Sequence, residues 1–130
     1  MNGAIFDGSN LSEALLNKAN LVLTNFDGAI MINAKLNEAI LIGANLNGVN
    51  LKGAILDKTN LTGASLIGAN LTNTFMLNTN LTGTNLRYAK VNQSNWFKSL
   101  SRLNVKGLAD IKYRYEVDPT PIKDLSLIHI

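Results

Sequence analysis

Residues 40–54 read Ile40-Leu41-Ile42-Gly43-Ala44-Asn45-Leu46-Asn47-Gly48-Val49-Asn50-Leu51-Lys52-Gly53-Ala54. Leu41, Leu46 and Leu51 stand five apart, each with Gly two positions after it and a small or β-branched residue two positions before it. A period of five fits neither an α-helix, with 3.6 residues per turn, nor a continuous strand, whose side chains alternate with period two. Outward from this stretch the apolar position recurs without a polar break. It reads Phe6, Leu11, Leu16, Leu21, Phe26, Met31, Leu36, Leu41, Leu46, Leu51, Leu56, Leu61, Leu66, Leu71, Met76, Leu81, Leu86, Val91 and Trp96. Two positions earlier the residue is mostly Ala, as at Ala14, Ala34, Ala44, Ala54 and Ala64, and otherwise Ser, Thr or Val.

Within one unit the small and the large residue are two apart, so a short extended segment points both to the same side. In a straight strand the next unit would face the other way. The chain must therefore bend once per unit, and the Asn- and Gly-rich positions suit a turn at each bend. Bends in one sense wind a solenoid, with large side chains along the axis and small ones admitting the backbone. A single unit is unstable: ordering each residue costs about 1 to 2 kcal/mol of backbone entropy, while one buried Leu returns about 1.5 to 3 kcal/mol. Stacked units become stable when each coil hydrogen-bonds to the next at about 4.8 Å.

The triplets Ala19-Asn20-Leu21, Ala44-Asn45-Leu46 and Ala69-Asn70-Leu71 resemble the first three positions of the pentapeptide repeat family: Ala, then Asn or Asp, then Leu, then two variable positions. The resemblance covers about three quarters of the chain. It implies an all-β fold, a right-handed quadrilateral parallel β-helix in which four units make one square coil and residues twenty apart stack. Periodicity alone leads to a solenoid and leaves the number of sides and the handedness open.

The expected organisation is a repeat β-helix over residues 1–97, a C-terminal capping or linker segment over 98–124 with short α/β character, and a tail over 125–130. In the middle segment Phe97, Leu100 and Leu103 have helical spacing, and Ile111, Tyr113, Tyr115 and Val117 alternate as a strand before Pro119. Leu125-Ser126-Leu127-Ile128-His129-Ile130 resembles a direct translation of a sequencing-library adaptor, so this tail is expected to be non-native. His129, the only His, then carries no chemistry. At the other end Ala4 and Phe6 are already in phase, with no N-terminal cap in the sequence.

Net charge is +3, but the charges are dispersed. Up to Phe97, Lys18, Lys35, Lys52, Lys58, Arg87 and Lys90 oppose Asp7, Glu13, Asp27, Glu38 and Asp57, a net of +1. This is no nucleic-acid footprint. Cysteine is absent, which removes disulfides and thiolate metal sites. Apolar residues never form a run long enough for a membrane span. No convergent catalytic set, phosphate loop or dinucleotide fingerprint occurs, because Gly43, Gly48, Gly53, Gly63 and Gly68 follow the repeat. The chain is read as no enzyme, with no cofactor, no metal and no small-molecule substrate.

Some of the outward positions are apolar where the repeat elsewhere has Asn. Val22, Leu23, Ile30, Ile32, Ile40 and Ile42 are the candidate partner-binding residues, expected as a belt on consecutive faces at similar height. Leu15, Ile55, Phe75 and Leu77 form a second column interrupted by Lys35. Exposed contiguous apolar surface on a repeat scaffold points to a partner, either another protein or a second copy of the chain. The Asn columns are expected to bond the backbone at corners. The functional expectation is a non-enzymatic scaffold or protein-protein interaction module, bacterial and cytoplasmic. The resemblance also implies an alternative: some family members mimic DNA and modulate topoisomerases. That activity needs a strongly negative surface, which this chain lacks. The remaining alternative is one structural segment of a longer protein.

Overall fold

The computed structural model describes residues 2–91 and, as a backbone pair, Lys112–Tyr113. Its register answers how many sides the solenoid has. Parallel bridges join Ile5 to Asn25, Asn25 to Asn45, Asn45 to Ser65 and Ser65 to Asn85, a step of twenty at every rung. Four units therefore close one coil. The first face carries this column. The second carries Asn10, Ile30, Asn50, Asn70 and Lys90, the third Leu15, Lys35, Ile55 and Phe75, and the fourth Asn20, Ile40, Asn60 and Asn80.

Each corner is a four-residue turn. The carbonyl of Leu41 accepts the Ala44 N–H at 3.0 Å, and that of Leu61 accepts the Ala64 N–H at 2.9 Å. The third residue of the turn is left-handed at every described corner, as at Gly43 (φ 66°) and Gly53 (φ 71°), while the second is not. This is the type II pattern, in which Gly is the easiest third residue. Only half of these positions are Gly: Glu13, Leu23, Lys58 and Tyr88 are among the others, at φ of 62°, 58°, 59° and 60°. The coil ladder holds them in a conformation that their side chains disfavour.

Between corners, the units hydrogen-bond upward and downward. The Leu46 N–H donates to the Ser65 carbonyl at 2.7 Å, and the Asn45 N–H to the Thr24 carbonyl at 3.0 Å. The large position fills the axis: Leu21, Phe26 and every later member to Val91 are buried, with Ala29, Ala34, Ala44 and Ala54 beside them. Thr at the small position is buried too, and its hydroxyl is satisfied. Thr59 donates to the Leu36 carbonyl at 2.6 Å, Thr79 to Leu56 and Thr84 to Leu61 at 2.7 Å. In the first coil Phe6, Leu11, Leu16 and Ala19 are only partly buried. The Phe6 and Phe26 rings stack with centroids 5.4 Å apart.

Strand β1 (Lys90–Val91) pairs parallel with β2 (Lys112–Tyr113), Lys90 opposite Lys112. This adds a rung to the second face with a step of 22 rather than twenty. Apart from that pair, the expected cap at 98–124, the core position Trp96 and the tail at 125–130 lie outside the described residues.

Candidate interaction surface

Outward side chains divide into those that finish the corners and those that do not. Where the residue before the large position is Asn, its Oδ1 accepts the N–H two residues on. Asn45 holds the Asn47 N–H at 2.9 Å, and Asn60 and Asn80 hold those of Thr62 and Thr82 at 3.1 Å. Thr62 and Thr82 return their hydroxyls to the same oxygens at 2.6 and 2.7 Å. The expected corner role of the Asn columns is therefore observed. At some of the other corners the side chain one coil below substitutes: Asn17 Oδ1 accepts the Asn37 N–H at 3.2 Å, Asn47 Oδ1 the Ile67 N–H at 2.9 Å, and Asp57 Oδ1 the Leu77 N–H at 2.8 Å. Asn45→Ala should cost about 1 kcal/mol, the net worth of one hydrogen bond, read as a lowered urea midpoint.

At Ile32 and Ile42 neither device operates. Ile30 and Ile40 stand where Asn would cap them, so the N–H groups of Ile32 and Ile42 have no protein acceptor among the described residues. These are four of the six candidate partner-binding residues.

The geometry divides the expected belt. Ile30 lies on the second face and Ile32 at the corner after it, whereas Ile40 lies on the fourth face with Ile42 at its far corner. Ten residues are half a coil, so the two pairs look in opposite directions, with Lys35, Asn37 and Glu38 between them along the chain. The belt is thus not one continuous surface. Brought together are Leu23, Val22, Ile40 and Ile42, because the Leu23 N–H donates to the Ile42 carbonyl at 2.9 Å and stacks the two corners. A Cβ on Gly43 would come within 2.8 Å of Leu23 Cδ2, so Leu23 lies flat against the next coil. Leu23 is 65% exposed, and Ile40 and Ile42 are 37% and 38% exposed.

The second apolar column has the register expected of it: Leu15, Lys35, Ile55 and Phe75 pair in sequence, with Lys35 as the interruption. Leu15, Phe75 and Leu77 are exposed and Ile55 is half-buried.

One charged feature escaped the sequence reading. Lys18, Glu38 and Lys58 occupy the same left-handed corner position in successive coils, between the third and fourth faces. A comparison at intervals of twenty would have shown the alternation. A shallow cleft of about 240 Å³ runs along this edge, lined by Asn37, Glu38, Asp57, Lys58, Leu77 and Asn78. Among the described residues no group of three or more His, Asp or Glu is placed to hold a metal ion, and no helix is long and apolar enough to cross a membrane.

A twenty-residue parallel register with one turn every five residues defines a quadrilateral β-helix built from pentapeptides. The family model described as Pentapeptide repeats matches in eight copies over residues 4–43, 29–66 and 59–95, and the chain belongs to that family. Members of the family form right-handed quadrilateral β-helices, and no catalytic family is indicated for the chain. Among solved structures the chain is similar to a pentapeptide repeat protein of the Arabidopsis thaliana thylakoid lumen. The two are 29% identical, with 79% of this chain and 77% of that one covered and a TM-score of 0.68. It is also similar to the pentapeptide repeat protein Rfr23 of the cyanobacterium Cyanothece 51142, at 26% identity, 87% and 86% coverage and a TM-score of 0.45. A third similarity is to QnrB1, a plasmid-mediated fluoroquinolone resistance protein, at 13% identity, 83% and 70% coverage and a TM-score of 0.46. Comparison with curated proteins finds no match.

Proposed function

We propose that the chain is a non-enzymatic scaffold whose rigid faces bind another protein chain. The observation that carries this reading is the cluster of Leu23, Ile40 and Ile42. Three apolar side chains are exposed together at a place where Asn would complete the corner. The exposure does not benefit the core, since the inward positions beneath are complete. Polar corners elsewhere in the same column, at Thr62 and Thr82, show the ordinary solution. The mixed charge of the described coils favours protein over nucleic acid as the partner.

Because the two Ile pairs lie on opposite faces, they are separable in an experiment. Captured protein from the source organism, quantified by mass spectrometry, should fall several-fold for Ile40→Asn with Ile42→Asn, and change little for Ile30→Asn with Ile32→Asn. Equal capture by both variants and the parent would remove the fourth face from the function.

A further inference from the structure

We propose that the fourth face and its edge with the third form a self-association surface, on which a second copy of the chain docks antiparallel about a two-fold axis perpendicular to the solenoid. This deepens the interaction-module reading and rests on it. The apolar part is the patch of Leu23, Ile40 and Ile42, beside which the Ile42 N–H has no protein acceptor among the described residues. Its neighbours up and down the column, Val22 and Thr62, give the same donor to Asn20 and Asn60.

The charged part selects the occupant. Lys18, Glu38 and Lys58 stack at one corner with alternating sign, on rungs about 4.8 Å apart. An antiparallel copy sets this corner against the same corner of its partner. With the two-fold axis through the Glu38 rung, Glu38 faces Glu38 and Lys18 faces Lys58, so that every charge meets its like. With the axis midway between the Asn20 and Ile40 rungs, Lys18 faces Glu38 and Glu38 faces Lys18. The same register sets Ile42 against Val22 and brings Leu23 over the Gly43 corner. A parallel copy would instead lay the charged corner against the apolar one. The alternation therefore fits its own reversed copy in one registration that also covers the apolar patch, which is the self-complementarity required of a two-fold interface.

The surface involves one face and its edges, so a concentration-dependent dimer is expected rather than a permanent one. The test is the solution mass of the full chain, by sedimentation equilibrium across a concentration series at low and high salt. The expected result is a rise from 14.1 kDa towards twice that value, weakened by salt. Glu38→Lys should weaken the dimer about tenfold. Lys18→Glu with Glu38→Lys and Lys58→Glu, which restores alternation with the signs exchanged, should recover it. Circular dichroism of each variant separates loss of fold from loss of pairing, and Ile40→Asn with Ile42→Asn probes the apolar part independently of charge. A monomer at all concentrations overturns the proposal, as does a dimer indifferent to Glu38→Lys or a charge exchange that fails to restore pairing. Capture of a different protein by a chain that stays monomeric would also overturn it, while leaving the broader interaction role intact.

Discussion

Leu46→Ala is expected to lower the unfolding free energy by about 2 to 5 kcal/mol, the range for deleting a buried Leu side chain. Leu46 is fully buried in the axial column between Phe26 and Leu66, both also fully buried. What decides the position within that range is how far the surroundings can close over the gap. Here the rungs above and below are tied through the backbone: the Leu46 N–H reaches the Ser65 carbonyl at 2.7 Å and the Phe26 N–H reaches the Asn45 carbonyl at 2.7 Å. A coil cannot sink without breaking these bonds, so the upper part of the range is expected. Leu16→Ala provides the contrast, because Leu16 lies in the first coil and is only partly buried. Urea midpoints for the two variants should differ clearly. Equal midpoints would mean that the inward column does not carry the stability.

Ala44→Leu should destabilise by about 1 to 3 kcal/mol, through crowding rather than loss. Ala44 is 1% exposed and stacks between Thr24 and Ala64 at the small inward position. Its N–H closes the turn on the Leu41 carbonyl at 3.0 Å and its carbonyl accepts the Ser65 N–H at 3.0 Å, so the backbone has little freedom to retreat. Three added carbons must push the coils apart at that corner. Ala44→Thr separates volume from register. Thr already occupies equivalent positions at 59, 79 and 84, each donating to a carbonyl one coil below. Thr at 44 would find the Leu21 carbonyl in the same way. A melting temperature lowered by Leu and nearly unchanged by Thr would confirm the inward assignment; no change with Leu would refute it.

These two positions were legible in the sequence because burial depends only on the five-residue pattern. Every Leu from Leu21 to Leu86 in the series is buried as its spacing requires. The Asn columns were legible for a similar reason: Asn60 and Thr62 act within one unit. Less visible were features that depend on stacking. Ile30 and Ile40 are near in the chain, yet half a coil apart in space, so reading them as one belt mistook sequence proximity for adjacency. Lys18, Glu38 and Lys58 are distant in the chain and stacked in space, so their alternation was missed. The left-handed corners were half visible. Among the described residues Gly marks nine of them, but nothing in the residue types of Leu23 or Tyr88 announces a positive φ, which the coil geometry imposes on them.

The twenty-residue rung and the five-residue turn give the protein two independent clocks. Its interior reads the sequence modulo five and its exterior reads it modulo twenty. Losing or gaining one pentapeptide keeps every Leu on the axis, yet rotates all that follows by a quarter turn and gives each outward side chain a new set of vertical neighbours. Duplication of units can therefore reshuffle the surface wholesale while the interior stays as it was. In such a scaffold the history of its partners and the history of its stability need leave no trace on one another.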